Sequence, residues 1–198
     1  MRLGRPSGDR RHFRCPALLA SPAMTSREPL PFDPILRAAA LWDERIGPSR
    51  TMAAVTSVMR VQQILLSAVD GALRPHGLTF ARYEALVLLA FSREGRLSMG
   101  RIGERLMVHP TSATHIVQRL AAQGFVDRVA NPADRRGALA VITDTGRAVM
   151  EATTLDLEAA QFGLGMLSRQ DQDRLFSLLR GVRLAAGDFV EEPADRDG

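Results

Sequence analysis

The residues with the most chemistry to offer are two adjacent arginines in the stretch NPADRRG, Asn131 to Gly137, which lies between the apolar runs Phe125 to Ala130 and Ala138 to Ile142. Apolar segments flanking a Pro- and Gly-containing stretch predict a β-hairpin, here with a loop that reads as too long for a two-residue turn. Guanidiniums at such a tip, with Asp134 beside Arg135 and Arg136, can grip phosphates or enter a narrow minor groove. Upstream, Thr111, Ser112, Thr114, His115, Gln118 and Arg119 interleave with Ala113, Ile116, Val117 and Leu120. The second set recurs at the spacing of one buried helical face. The first set is left pointing outward: hydroxyls, an imidazole, an amide and a guanidinium, all able to reach base edges or phosphate oxygens from a major groove. An arginine pair in a loop is ordinarily a solvated turn, and its place beside this helix gives it a nucleic-acid reading.

Enzymatic chemistry has little to work with. The chain contains no Gly-rich phosphate loop, no Ser-His-Asp set that can be placed and no metal-ligand spacing, so neither an enzyme nor a cofactor is expected. Cys15 is the only cysteine, which excludes an internal disulfide framework and fits a reducing, cytoplasmic setting. His76, just before Gly77, reads as a helix-end residue facing the dipole rather than as a ligand.

These residues need a frame, and 198 residues suffice for one domain with an oligomerisation extension. "DPILRAAALWDERIG" predicts a helix capped by Asp33 and stopped at Gly47 and Pro48. A second helix runs from about Arg50 to Leu73, with Val55, Val58, Met59, Ile64, Leu65 and Val69 at helical spacing. A third opens at Thr79, its expected cap, and is apolar on most sides from Ala85 to Phe91, which predicts burial. "RLS" is a strand fragment, and a short helix with Ile102 and Leu106 inward turns at Val108 and His109 into the polar-faced helix beginning at Pro110. Gly124 ends that helix. After the hairpin come two more helices, one capped by Thr143 or Thr145, the other opened by Ser168 with Leu175, Leu178, Leu179 and Val182 as its stripe.

The fold class is therefore mainly α: a winged helix-turn-helix, helices plus a small β-hairpin wing, between N- and C-terminal dimerisation helices. Residues 1–30 are expected to be a disordered tail, with Met24 an alternative start; 31–76 are N-terminal helices, 77–146 the DNA-binding domain, 147–188 the C-terminal helices and 189–198 a frayed tail. No uninterrupted apolar run approaches the roughly 18 residues that span a bilayer, so no membrane partner is expected.

Charge is informative only when placed along the chain. The net +4 is accounted for by residues 1–23, where five arginines face one aspartate. In the remainder, Arg96 to Arg147 holds eight arginines against four acids, and Glu151 to Gly198 holds five against ten. The segment with the helix and hairpin is thus locally basic, as a nucleic-acid face requires.

From "LTFARYEALVLLA" through "LMVHPTSATHIVQRLAAQGFV" to "DRVANPADRRGALAVITDTGRAV", the sequence resembles the MarR family of winged-helix transcriptional regulators, over residues 50 to 187. Asp-Arg-Arg after Asn-Pro, then a short strand and Thr-x-x-Gly, is its most specific part. The resemblance implies a dimer joined through its terminal helices, bound to double-stranded DNA at a pseudo-palindromic operator and often released by a small aromatic or phenolic effector; with no obvious activation surface, a dimer covering a promoter is expected to act as a repressor by blocking polymerase. It further implies that Asp134 orients the arginine pair, that Arg136 reaches the minor groove, and that Thr111, Ser112, Thr114, His115 and Arg119 face the major groove. His109 departs from the Ser or Thr cap common there, and His115 from the usual Arg. Cys15 lies in the tail and His76, His109 and His115 form no cluster with ligand spacing, so the thiol- and zinc-sensing variants do not match. Arg60, Gln63 and Tyr83 are candidates to line an effector pocket, although Tyr83 would serve equally as a core residue with a satisfied hydroxyl. The alternative left open is a winged-helix interaction or dimerisation module without specific DNA binding.

Overall fold

The computed structural model describes residues 28–132 and 134–191, with backbone alone at 134–136. The expectations for residues 1–27, Cys15 and Met24 among them, and for 192–198 lie outside it. The described residues form two compact units, 28–165 and 166–191.

In the larger unit, α1 (Pro34–Arg45) begins where Asp33 accepts the Ile35 and Leu36 amides at 2.8 and 3.2 Å. The Asp43 carboxylate takes the Ser49 amide at 2.7 Å and its hydroxyl at 3.0 Å, closing the turn into α2 (Arg50–Leu73). A 3-10 turn, Arg74–His76, follows, and Gly77 at φ +68° reverses the chain into α3 (Phe80–Ala90). Thr79 stands at the α3 cap position without using its side chain as a cap; Asp70 of α2 reaches across to accept the Phe80 amide at 2.9 Å. A carboxylate supplied by a packed neighbour thus replaces the local hydroxyl expected from sequence.

β1 (Arg96–Ser98), α4 (Met99–Arg105), α5 (Pro110–Ala122), β2 (Val126–Asn131) and β3 (Asp134–Ile142) make the winged element, with β3 central in an antiparallel sheet of order β1-β3-β2. α6 (Asp144–Ala159) returns to pack on α2 and α3. Leu73, Leu86, Leu89, Ile102, Val117, Leu120, Val126 and Leu157 are fully buried, drawn from α2, α3, α4, α5, β2 and α6. Each stabilises the fold by roughly 1.5–3 kcal/mol, so the core fixes how α5 and the hairpin are held.

α3 is less buried than its composition suggests. Tyr83, Ala85, Leu86 and Leu89 are inside, whereas Phe91 is 82% exposed and Val87 and Leu88 only half-buried. An all-round apolar helix here means a core on one side and an open apolar groove on the other.

The helical stretch Arg50–His76 is long enough, and in its most apolar 18 residues (mean hydropathy 1.4) apolar enough, to cross a membrane. Arg60, Gln62 and Gln63 interrupt the apolar run, and Val69 and Leu73 are buried in the core that α2 shares with α3 and α6. Farther up, Val55, Val58, Met59 and Val61 are exposed, as are Leu36, Leu41 and Trp42 on α1 and Ile46 just past its end.

The smaller unit is α7 (Arg169–Ala185), opened by Ser168, whose hydroxyl oxygen accepts the Asp171 amide at 3.2 Å. Leu178 and Val182 of its stripe are about 70% exposed. The C-terminal segment expected at 147–188 is therefore divided, α6 belonging to the larger unit and α7 to the smaller.

Candidate nucleic-acid interface

α4 and α5 meet closely because small residues face each other there: a Cβ added to Gly103 would lie 3.4 Å from the Val108 carbonyl and 3.6 Å from Ala113 Cβ. Met107, at φ +53°, makes the sharp turn between them. His109 then caps α5, its Nδ1 accepting the Thr111 amide at 3.3 Å, so the imidazole does the work of the hydroxyl it replaces. Pro110 opens the first turn, where its missing N–H costs nothing.

Ala113, Val117 and Leu120 are buried and Ile116 half-buried, as the spacing predicts. Thr111, Ser112, His115, Gln118 and Arg119 are exposed together on the opposite face. Thr114 differs: it is half-buried and its hydroxyl donates to the Pro110 carbonyl at 3.0 Å, which leaves its oxygen as an acceptor only.

The hairpin corrects the expected long loop. Asn131 pairs with Asp134, Pro132 lies in the turn between them, and the next pair is Ala130 with Ala138. Arg135, Arg136 and Gly137 fall in the gap between those pairs, a three-residue irregularity of β3 without ladder partners on β2. The arginines therefore sit behind the turn rather than in it. The side chains of Asp134, Arg135 and Arg136 lie outside the described residues.

The Thr-x-x-Gly that follows has a mechanical explanation. Thr143 Oγ1 accepts the Gly146 amide at 3.0 Å, capping α6, and donates to the Gly124 carbonyl at 2.8 Å. Its own N–H donates to the Phe125 carbonyl at 3.1 Å. A Cβ on Gly146 would stand 2.0 Å from that same carbonyl oxygen, so only glycine lets α6 start there. The end of α5 is thereby stapled to the start of α6, and Thr143 rather than Thr145 is the cap.

The proposed effector residues are not brought together. Arg60 donates to Gln63 Oε1 at 3.0 Å on the exposed face of α2, and neither lines the groove along α3. Tyr83 does border that groove, of about 440 Å³, with Phe80, Val87, Leu88 and Phe162, while Glu84 and Arg105 supply its charges. Apolar surroundings push the Glu84 carboxyl above its ordinary range. Tyr83 is 6% exposed and its hydroxyl meets Thr154 Oγ1 at 2.9 Å. Because Thr154 already donates to the Met150 carbonyl at 2.8 Å, Tyr83 is the donor of the pair.

His76 is tied into the fold: its Nε2 lies 2.6 Å from Asp156 Oδ2 on α6. Sequence reading missed this pair, and also Gln123 and Arg82, whose side chains bond at 2.8 Å. Residues 80 and 41 positions apart leave no periodic signal, and only the topology joins them. Among the described residues, no three His, Cys, Asp or Glu gather as a metal site.

A family model described as MarR family matches residues 76–137. Among solved structures, the chain resembles Sco5413, a MarR family transcriptional regulator from Streptomyces coelicolor, with TM-score 0.67 and 56% identity, covering 72% of this chain and 99% of that one. Sco3205, a MarR family transcriptional regulator of the same organism solved in complex with DNA, gives TM-score 0.63 and 26% identity over 73% of this chain and 93% of its own. Mb0904 of Mycobacterium bovis, an uncharacterized HTH-type transcriptional regulator, is 32% identical over 101 residues, 50% of this chain and 69% of the relative.

Proposed function

The chain belongs to the MarR family of transcriptional regulators, and we propose that it is a cytoplasmic repressor that binds a pseudo-palindromic operator as a homodimer and leaves it when a small aromatic or phenolic compound binds. The observation that carries this reading is the exposed row Thr111, Ser112, His115, Gln118 and Arg119 on a rigidly capped α5, next in the fold to a hairpin whose irregular stretch contains Arg135 and Arg136. α5 supplies base-edge contacts in the major groove and the hairpin arginines supply minor-groove or phosphate contacts. Arg119 holds phosphate rather than a base.

A second copy covers the exposed apolar residues of α1 and α2, and two-fold symmetry then sets the two α5 helices roughly 34–36 Å apart, one turn of B-DNA. Repression follows from occupying a promoter. The apolar groove beside Tyr83 takes the effector, with Glu84 and Arg105 as its polar handles. An effector shifts the protein off DNA only to the extent that it binds one dimer geometry better than the other.

Selection of the full chain on random duplex DNA tests the reading. A palindrome with half-site centres about one turn apart should be enriched, and log affinity for it should fall by roughly 0.9 per neutralised phosphate with log salt. Equal retention of all sequences would refute sequence-specific regulation and leave an interaction module.

A further inference from the structure

Gln123 is the C-cap of α5, and its side chain is held from two sides. Its Nε2 donates to the Gly77 carbonyl at 3.0 Å, and its Oε1 accepts from Arg82 Nη1 at 2.8 Å. Both partners flank the α2–α3 turn, Arg82 itself being steadied by Nε donating to Thr79 Oγ1 at 3.3 Å. Gly77 is suited to this contact twice over: its φ of +68° favours glycine, and a Cβ there would stand 3.1 Å from Gln123 Nε2. One residue earlier, His76 meets Asp156 of α6 at 2.6 Å.

We propose that Gln123 is a positioning residue for DNA recognition: the bridge Asp156–His76–Gly77–Gln123, braced by Arg82, sets the pitch of α5 against α2 and α6. The inference rests on the reading that α5 enters the major groove. An amide is suited to the task because it is donor and acceptor in one plane, so both bonds form only at one orientation of the helix end. Thr143 staples the same turn to the N-terminus of α6, so α6 holds the end of α5 directly at Thr143 and, through His76 and Gly77, at Asp156. A rotation of α6 against α2 is therefore delivered to the DNA-reading helix rather than absorbed by the α5–β2 turn. In a dimer that rotation alters the separation of the two α5 helices, the quantity an operator measures.

The discriminating readout is half-site spacing. The full-length protein would be titrated against its selected operator and against versions with the half-sites moved one base pair closer or farther. Wild type should favour one spacing. Gln123→Ala, which removes both bonds from each half of the dimer, should bind that operator about tenfold more weakly, while binding to the other two changes little. Asp156→Asn, an exposed change on α6, should flatten the preference in the same direction.

If Gln123→Ala weakens all three operators equally, the residue is a direct DNA contact or a mere stabiliser, and the proposal fails. If neither variant alters the preference, the bridge transmits nothing and the proposal fails. If wild type selects no operator, the regulator reading falls and takes this inference with it, an outcome distinct from an operator whose spacing preference survives the mutation.

Discussion

Gly146→Ala is the sharpest test of how the winged element is built. The added Cβ would stand 2.0 Å from the Phe125 carbonyl oxygen, 2.9 Å from its carbon and 3.1 Å from its Cα. Backbone rather than a flexible side chain occupies the space, so α6 must move by more than an ångström. Such overpacking costs roughly 1–3 kcal/mol. The movement also breaks the Gly146 amide to Thr143 bond, a helix cap worth about 1 kcal/mol, and strains the two Thr143 bonds to Gly124 and Phe125, of similar value each. Some relaxation will recover part of this, leaving a net loss of about 3–4 kcal/mol, near the upper end for a single substitution. For a chain of this size that lowers Tm by about 10 °C. Thermal unfolding by circular dichroism at fixed protein concentration measures it. Gly100→Ala is the control, since nothing lies within 4 Å of its Cβ and it is helical, so it should gain roughly 0.5–1 kcal/mol. If Gly146→Ala were as stable as wild type, the close approach of α6 to Phe125 would not exist and the account of Thr-x-x-Gly would be wrong.

Three further outcomes follow from the geometry. Tyr83→Phe removes a donor and leaves Thr154 bonded to Met150, so the urea midpoint should fall by the equivalent of about 1 kcal/mol with secondary structure unchanged. Glu84 has its carboxyl raised, so the folded chain holds that proton more tightly than the unfolded chain does. Its favourable contribution is complete below the unfolded pKa and is lost as pH rises through the folded one. Glu84→Gln should therefore raise the urea midpoint near neutral pH and leave it unchanged in acid below the ordinary glutamate range, and the reverse pattern would contradict the assigned cause. Arg136→Ala should cost on the order of 1–3 kcal/mol of operator binding and lower the salt slope by roughly 0.9 if it neutralises a phosphate. An unchanged affinity in a folded variant would remove the wing from the mechanism.

What the sequence revealed divides by range. The outward row on α5 was legible because its apolar partners repeat with the helix, and Ala113, Val117 and Leu120 are indeed fully buried. Asp33 and Ser168 were legible as caps because a cap acts on amides two or three residues away. Thr79 misled because Asp70, ten residues earlier, was nearer in space to the amide in need. The hairpin loop misled because composition does not register a strand irregularity, and the Asn131–Asp134 pair inside the presumed loop depends on ladder geometry. Phe91 misled because an apolar composition cannot say which face is covered. No periodicity links Arg60 and Gln63 to Tyr83, and the two bond to each other instead. The Gln123 bridge had no sequence signature at all.

Trp42 and Tyr83 are the only tryptophan and tyrosine in the chain, and their surroundings are opposite. Trp42 is partly exposed on α1 among exposed apolar neighbours, whereas Tyr83 is enclosed between the core and the groove. The molecule thus carries two spectroscopically separate native reporters. Indole emission that moves to shorter wavelength with rising concentration reports association through α1, and phenol absorbance that shifts when a compound is titrated in reports occupancy along α3. The two events can be followed in one cuvette, without a label and without DNA, and the order in which they respond tells whether occupancy of the groove alters pairing or leaves it intact.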